Sequence, residues 1–233
     1  YFYHWISNKS IYFSKNPIYS LIKNVKSDYF CLDGNFLEKI LCTKSANVVS
    51  FDILNKKFMF INAHVAPYNN NLLIESINRL ENYAKYNTLN KKKNDKYIWI
   101  FGDLNSRFKD SVNNIQKLNE IRKHLKIFKS DKNKKNKEKS LIFLQKNDII
   151  NILKSNKKIL KDYNEAGEIN FMPSYKFAPN TKFYLIRAKS GIGWADRIFY
   201  RKNKNIKCKK YGLIKSIISS DHKAVISSFE IKI

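Results

Sequence analysis

Residues 97–101, Tyr-Ile-Trp-Ile-Phe, run apolar without a break and stop at Gly102. A short apolar run ended by glycine reads as a strand buried on both faces. Gly102 lets the chain turn outward there without a Cβ clash. Asp103 and Asn105 follow at the strand's carboxyl end. A carboxylate and an amide two residues apart on a rigid strand end suit a site that activates water and binds anionic oxygens. Taken alone, the same residues also read as a polar turn after a core strand, so the rest of the chain must supply partners.

Upstream, residues 47–54 and 58–63 read as two strands joined at Asn55-Lys56-Lys57, a hairpin that ends on His64, with Pro67 beyond it. Residues 71–86 place Leu73, Ile77, Leu80 and Ala84 on one helical face, and residues 112–128 repeat the pattern with Val112, Ile115, Leu118, Ile121 and Leu125. His124 within that second helix reads as surface or core, not catalytic. Residues 129–139 carry no apolar side chain and read as a lysine-rich, solvated and dispensable loop inside the domain. Ser140 is placed to cap a helix over 141–154. Residues 223–231 alternate as a closing strand, with Asp221-His222 just before it. The aromatic-rich residues 1–20 read either as a strand and turn or as a partner-facing flap. Strands and helices alternate, with candidate residues at strand ends, which predicts α/β with mixed sheets and one chemical face. With only 6 glycines and no Gly-rich phosphate loop, Rossmann and Walker sites are excluded.

At 233 residues and 43% hydrophobic, the chain suffices for one globular domain. Its 45 Lys and Arg against 19 Asp and Glu give +26, which points to an anionic partner: nucleic acid, an anionic membrane surface or a polyphosphorylated substrate. Lysine is spread through every segment, so much of that charge is simply solvated. Cys31, Cys42 and Cys208 form no CxxC pair and are odd in number, which predicts neither a disulfide framework nor a zinc site and favours a reducing, intracellular compartment. No apolar run approaches membrane-spanning length. The chain begins at Tyr1 and shows no signal-peptide pattern, so it is expected to be a piece of a longer polypeptide whose targeting information lies elsewhere.

Five strings occur in order: Asn62-Ala63-His64; Trp99 with Gly102–Asn105 and Arg107; Pro173–Phe177 (PSYKF); Trp194–Ile198 (WADRI); and Ser220-Asp221-His222 with Val225. Together they resemble the endonuclease/exonuclease/phosphatase superfamily, and within it the inositol polyphosphate 5-phosphatases. The PSYKF and WADRI strings are the more specific to that family. Ser106, Ile192, Ala195 and Ala224 depart from its pattern and mark a divergent member. So does the upstream region, where the family's strand with an Asn and its later metal-binding Glu are not found; Glu38, the one Glu before His64, is too close to it in sequence.

The resemblance implies a DNase I-like fold, two packed mixed β-sheets flanked by helices in a four-layer sandwich. It also implies Mg²⁺-dependent removal of the 5-phosphate from phosphoinositides or soluble inositol polyphosphates. By the same resemblance, Asp103 orients the attacking water, Asn105 holds that water or a phosphoryl oxygen, and His64 and His222 donate to the scissile phosphate. Asp196 supports the site, and Asp221 fixes His222 or faces the metal. Tyr175 and Lys176 bind a neighbouring phosphate, with Arg107 and Lys189 as weaker candidates. Peripheral contact with an anionic membrane on its cytosolic side is expected, and nucleic acid is not. Two alternatives stand beside this reading: a degenerate phosphatase fold serving as a binding or scaffold module, and another superfamily hydrolase such as a nuclease or sphingomyelinase.

Overall fold

The computed structural model describes residues 4–5, 9–10, 18–32, 41–66, 70–112, 114–185 and 191–233. Most of residues 1–20, Glu38, Pro67 and Lys189 lie outside them. In chain order the elements are β1 (His4–Trp5), β2 (Lys9–Ser10), β3 (Ile22–Cys31), β4 (Ser45–Ile53), β5 (Lys56–His64), α1 (Asn70–Tyr86), β6 (Lys96–Asp103), α2 (Ile115–Ser130), α3 (Lys134–Asn147), α4 (Ile149–Ser155), β7 (Tyr163–Glu165), β8 (Asp196–Arg201), β9 (Ile206–Leu213) and β10 (Val225–Ile231). A six-stranded sheet runs β3-β4-β5-β6-β8-β7, β9 pairs with β10 in a second sheet, and β1 pairs with β2. Within the large sheet β5 and β6 are parallel, with α1 between them in sequence, and the other pairs are antiparallel. The fold is the mixed α/β arrangement that the alternation of elements predicts.

The apolar run 97–101 of β6 is covered on both of its faces. Ile98 and Ile100 pack with Leu73, Ile77, Leu80 and Ala84 of α1 and with Ile150 and Leu153 of α4. Tyr97 and Trp99 pack on the other side with Phe58 and Ile206, and with the partly buried Phe229 and Ile231 of β10. The predicted hairpin is present, but its turn is Leu54-Asn55, both in the left-handed region at φ 47° and 63°, while Lys56 and Lys57 already belong to β5. Helix α1 buries the four apolar positions that its spacing marks. In α2 the buried face is Leu118, Ile121 and Leu125; Ile115 is exposed and Val112 precedes the helix, whose N-cap is Asn114.

Three expectations need correction. Residues 129–139 are not a structureless loop: α2 runs to Ser130 and α3 starts at Lys134. Polar side chains close the gap: the Asp131 carboxylate accepts from the Asn133 N–H and the Asn136 amide, and Asn133 caps α3 at Lys135 and Asn136. Lys129, Lys134, Lys135 and Lys139 therefore occupy exposed helical positions. Ser140 is not a cap but a buried residue inside α3, with its hydroxyl 3.2 Å from His124 Nδ1. The helix expected over 141–154 is broken at Asp148, which caps α4 through the Asn151 N–H. Thirdly, Cys31 and Cys42 form a disulfide with Cα atoms 5.2 Å apart, leaving Cys208 free, so the cysteines give no support to a reducing compartment.

Asp148 also anchors a buried charge. Arg197 in β8, with no side-chain exposure, donates to Asp148 at 2.9 Å, to Asn151 at 2.9 Å and to both oxygens of Glu165. Removing one member of such a cluster leaves its partners charged in a low-dielectric interior, which costs about 3–5 kcal/mol. Arg197→Met is expected to lower unfolding stability by that order in urea titrations. Lys209→Ala, which breaks the exposed pair with Glu230, should change it by under about 1 kcal/mol.

Candidate active site

One row of residues crosses the large sheet at its end: Cys31 opposite Ser45, Ser45 opposite His64, His64 opposite Asp103, and Asp103 opposite Asp196. Gly102 lets this end close. It holds φ 123°, and a Cβ there would lie 2.2 Å from the Ala63 carbonyl oxygen, a contact no side chain tolerates. Asp103 Oδ1 accepts the Asn105 N–H at 3.0 Å, closing a tight turn with Asn105 at φ 51°, a conformation asparagine tolerates.

His222 is brought in by the chain just before β10. Its Nδ1 is 2.9 Å from Asp196 Oδ2, and its Nε2 is 3.9 Å from Asp103 Oδ2. Burial alone would depress the imidazolium, but the carboxylates of Asp196, then Asp103 and Asp221, outweigh it and hold the pKa up to about 9. His222 is therefore a cation at neutral pH. His64 goes the other way: burial lowers it, Asp103 offsets part of that, and the neighbouring Lys44 lowers it further. His64 Nε2 lies 3.4 Å from Asp103 Oδ2 and 2.9 Å from Lys44 Nζ.

The structure thus brings His64, Asp103, Asn105, Asp196 and His222 together. Asn105 is turned inward, its amide donating to the Val65 carbonyl at 2.7 Å and its oxygen accepting from Arg107 at 2.7 Å. That leaves Asn105 holding the turn in shape more than facing a ligand. Arg107 likewise lies behind the site. It is 6% exposed, donates to Asn105 and to the Ser106 carbonyl, and stacks its guanidinium 3.9 Å from the Tyr175 ring centroid. It supports Tyr175, whose ring lies 4.5 Å from that of His222.

Lys176 carries its ammonium 5.3 Å from the Tyr175 ring and 3.3 Å from Asp221 Oδ2, partly open to solvent. The Asp221 carboxylate is thus paired with Lys176. Among the described residues the group that could hold a metal is Asp103, Asp196 and His222, with one ligand atom of each within 4.8 Å of the others. Two carboxylate oxygens suit a hard divalent cation. Lys189 lies outside the described residues.

Sequence reasoning missed two residues here. Lys44, 9% exposed, reaches His64; it is one of 45 basic residues, and no spacing singles it out. Ser174, within the quoted PSYKF string, accepts the Asp196 N–H at 3.1 Å and ties that string to the acidic row.

Comparison with known proteins agrees with this geometry. The profile of the Endonuclease/Exonuclease/phosphatase family 2 matches residues 5–228. Phosphatidylinositol 3,4,5-trisphosphate 5-phosphatase 2A of Danio rerio is 26% identical over 208 residues, 82% of this chain and 15% of that protein. Nitrophorin Cim l NP of Cimex lectularius is 27% identical over 212 residues, 86% of this chain and 62% of that one. Type II inositol 1,4,5-trisphosphate 5-phosphatase of Mus musculus is 31% identical over 141 residues, 60% of this chain and 12% of that protein. Among solved structures, the inositol polyphosphate 5-phosphatase domain of SPsynaptojanin, in complex with inositol (1,4)-bisphosphate and calcium, superposes with a TM-score of 0.63 at 21% identity, covering 93% of this chain and 58% of that one. The chain thus spans less than two thirds of the length of each of these relatives, from 12% to 62%. It belongs to the endonuclease/exonuclease/phosphatase family, as a divergent relative of the inositol polyphosphate 5-phosphatases.

Proposed function

We propose that this domain hydrolyses a phosphate monoester on inositol, the 5-phosphate of a phosphoinositide or soluble inositol polyphosphate, with a divalent cation, Mg²⁺, at the acidic row. The observation that carries this reading is the meeting of Asp103, Asp196 and His222 at one sheet end, with His222 Nδ1 2.9 Å from Asp196 and Nε2 3.9 Å from Asp103. Hydrolysis needs an oriented water, neutralised phosphoryl oxygens and a stabilised leaving oxygen. Asp103 accepts a proton from the attacking water. His222 donates to a phosphoryl oxygen, with its proton held by Asp196. The water oxygen bonds to phosphorus as the bond to the inositol oxygen breaks; that oxygen takes the proton received by Asp103, relayed through water, and leaves as a hydroxyl, and inorganic phosphate is released. Asp103 and Asp196 would hold the cation, which would supply charge neutralisation at the phosphoryl oxygens, while the protonated His222 stands beside them as a donor. Lys176, kept in place by Asp221 and Tyr175, would take a neighbouring phosphate of the ring.

A lipid substrate would be met at an anionic membrane surface, which for the cytosolic leaflet attracts a protein of net charge +26. A second reading rests on the nitrophorin match, 27% identical over 86% of this chain: the same fold would then serve as a binding module.

Phosphate release from inositol substrates with and without Mg²⁺ tests the enzymatic reading. Asp103→Asn should abolish release while leaving the unfolding transition in place; activity that survives it removes Asp103 from the chemistry. Lys176→Ala should weaken substrates bearing a 4-phosphate more than those lacking it, by about 1.5–3 kcal/mol for a charge-assisted hydrogen bond. Equal losses on both would remove Lys176 from the specificity site.

The pH dependence follows from His222. Its proton is present below a pKa of about 9 and lost above it. Release should therefore fall as pH rises through 9. Asp196→Asn removes the carboxylate that holds the proton, so the fall should move to lower pH, and an unchanged profile would show that His222 does not donate.

A further inference from the structure

Arg107 is a buried cation that no carboxylate among the described residues pairs with. It is 6% exposed, and its donors reach only neutral groups: Nη2 donates to Asn105 Oδ1 at 2.7 Å and Nη1 to the Ser106 carbonyl at 3.2 Å, while the guanidinium rests on the Tyr175 ring. Its Nε is buried and has no hydrogen-bond partner. A charge left uncompensated in a low-dielectric interior is costly. The same side chain lines a cavity of about 240 Å³, together with Asn70 and Leu73 of α1, Asn105, Lys109 and Asp110. Asp103, Asp196 and His222 do not line it. Asn105 stands between the two places, with its N–H on Asp103 and its side-chain oxygen on Arg107. Three sources of positive potential meet in this cavity. Arg107 lies buried behind it, and Lys109 is exposed at its rim. The first turn of α1, a 17-residue helix, brings the positive end of the helix dipole and carries no acidic residue. Against them stands the single exposed carboxylate of Asp110.

We propose that this cavity is a separate anion site, distinct from the acidic row, and that it takes a phosphate group, free or carried by a small phosphomonoester. A helix N-terminus flanked by a guanidinium and an ammonium suits a tetrahedral oxyanion through charge and hydrogen bonding together. Lys109 closes on the anion from the rim, and the fixed charge of Arg107 holds it from behind. The inference does not rest on hydrolysis at the acidic row. It bears on that row through one contact: an anion against Arg107 steadies the guanidinium under Tyr175, whose ring lies 4.5 Å from that of His222.

Titration with inorganic phosphate without divalent cations, followed by ¹⁵N NMR, tests it without turnover. The Arg107 Nε–H and the Asn70 backbone N–H should shift together and saturably, and acetate should move them far less. Lys109→Met should weaken phosphate at both probes about tenfold, the loss of one charge-assisted hydrogen bond. Asn70→Asp should raise thermal stability, because a carboxylate suits a helix N-terminus, and yet weaken phosphate. Lys176→Ala should leave both shifts in place. Glycerol phosphate separates the two sources: tighter binding than inorganic phosphate assigns a phosphomonoester, weaker binding assigns the free ion, and either supports the site. Wild-type protein in which neither probe responds to phosphate overturns the proposal. So does undiminished binding by Lys109→Met, or loss of the shifts in Lys176→Ala, which would put the phosphate at the substrate site. Acetate as effective as phosphate overturns the assignment to a phosphate group. If Lys109→Met does not fold, Asn70→Asp decides: weakened phosphate supports the site and unchanged phosphate overturns it. Phosphate seated here in a protein that hydrolyses no inositol substrate supports this proposal and overturns the hydrolytic reading alone.

Discussion

The buried guanidinium of Arg197 is the interaction on which the rest of the structure depends. Alternation along β8 sends Asp196 toward the site and Arg197 into the interior. There Arg197 meets Asp148 at the junction of α3 and α4 and Glu165 at the end of β7. Glu165 also accepts from the Tyr211 hydroxyl of β9 at 2.8 Å, and Asp148 from Ser106, just beyond β6, at 2.7 Å. One charge therefore ties together two strands of the large sheet, a strand of the second sheet, the break between two helices and the turn that carries Asn105. A buried ion cluster is weak evidence for net stability, since its desolvation cost is large. What it supplies here is register. With β8 fixed at Arg197, Asp196 stands opposite Asp103, and the acidic row has one geometry.

That row shows how partner sign sorts two similar side chains. His64 and His222 flank the same Asp103 carboxylate, at 3.4 and 3.9 Å. His222 has Asp196 on its second nitrogen, so the pair favours the imidazolium. His64 is lowered first by burial, and the ammonium of Lys44 2.9 Å away lowers it further against the pull of Asp103. Two carboxylates facing across adjacent strands repel each other unless a cation lies between them. His222 supplies that positive charge in the protein alone.

The legible parts of the fold were those written in local pattern. The period of α1, the double-sided burial of β6 and the hairpin of β4 and β5 follow from side chains close in sequence. Asp103 was legible for the same reason, since it follows an apolar run, whereas Asp196 at the start of β8 and His222 before β10 were legible only through the Trp194–Ile198 and Ser220-Asp221-His222 strings. Hidden from sequence were effects of distant partners. Asp148 reads as one more polar residue inside a helical pattern; its role depends on Arg197, 49 residues away. The Cys31–Cys42 pairing depends on β3 and the start of β4 meeting at the sheet end. Residues 129–139 look structureless because charge was weighed without caps, yet Asp131 and Asn133 supply the local hydrogen bonds that let one helix end and the next begin.

The net charge of +26 and the acidic row raise one further point. A diffuse positive field draws any polyanion and distinguishes none of them. Discrimination needs cations whose positions are fixed before the ligand arrives, because ordering a free lysine on binding costs side-chain entropy. Lys176 is held by Asp221 and by the face of Tyr175, which in turn rests on the buried Arg107. Lys44 is held by His64 and by the backbone bond to Leu32. These two are held by groups that also shape the acidic row: Arg107 bonds Asn105, which closes the Asp103 turn, and His64 adjoins Asp103. The spacing of positive charge around that row is thus set by the packing of the fold, while the exposed lysines of α2 and α3 contribute attraction without geometry.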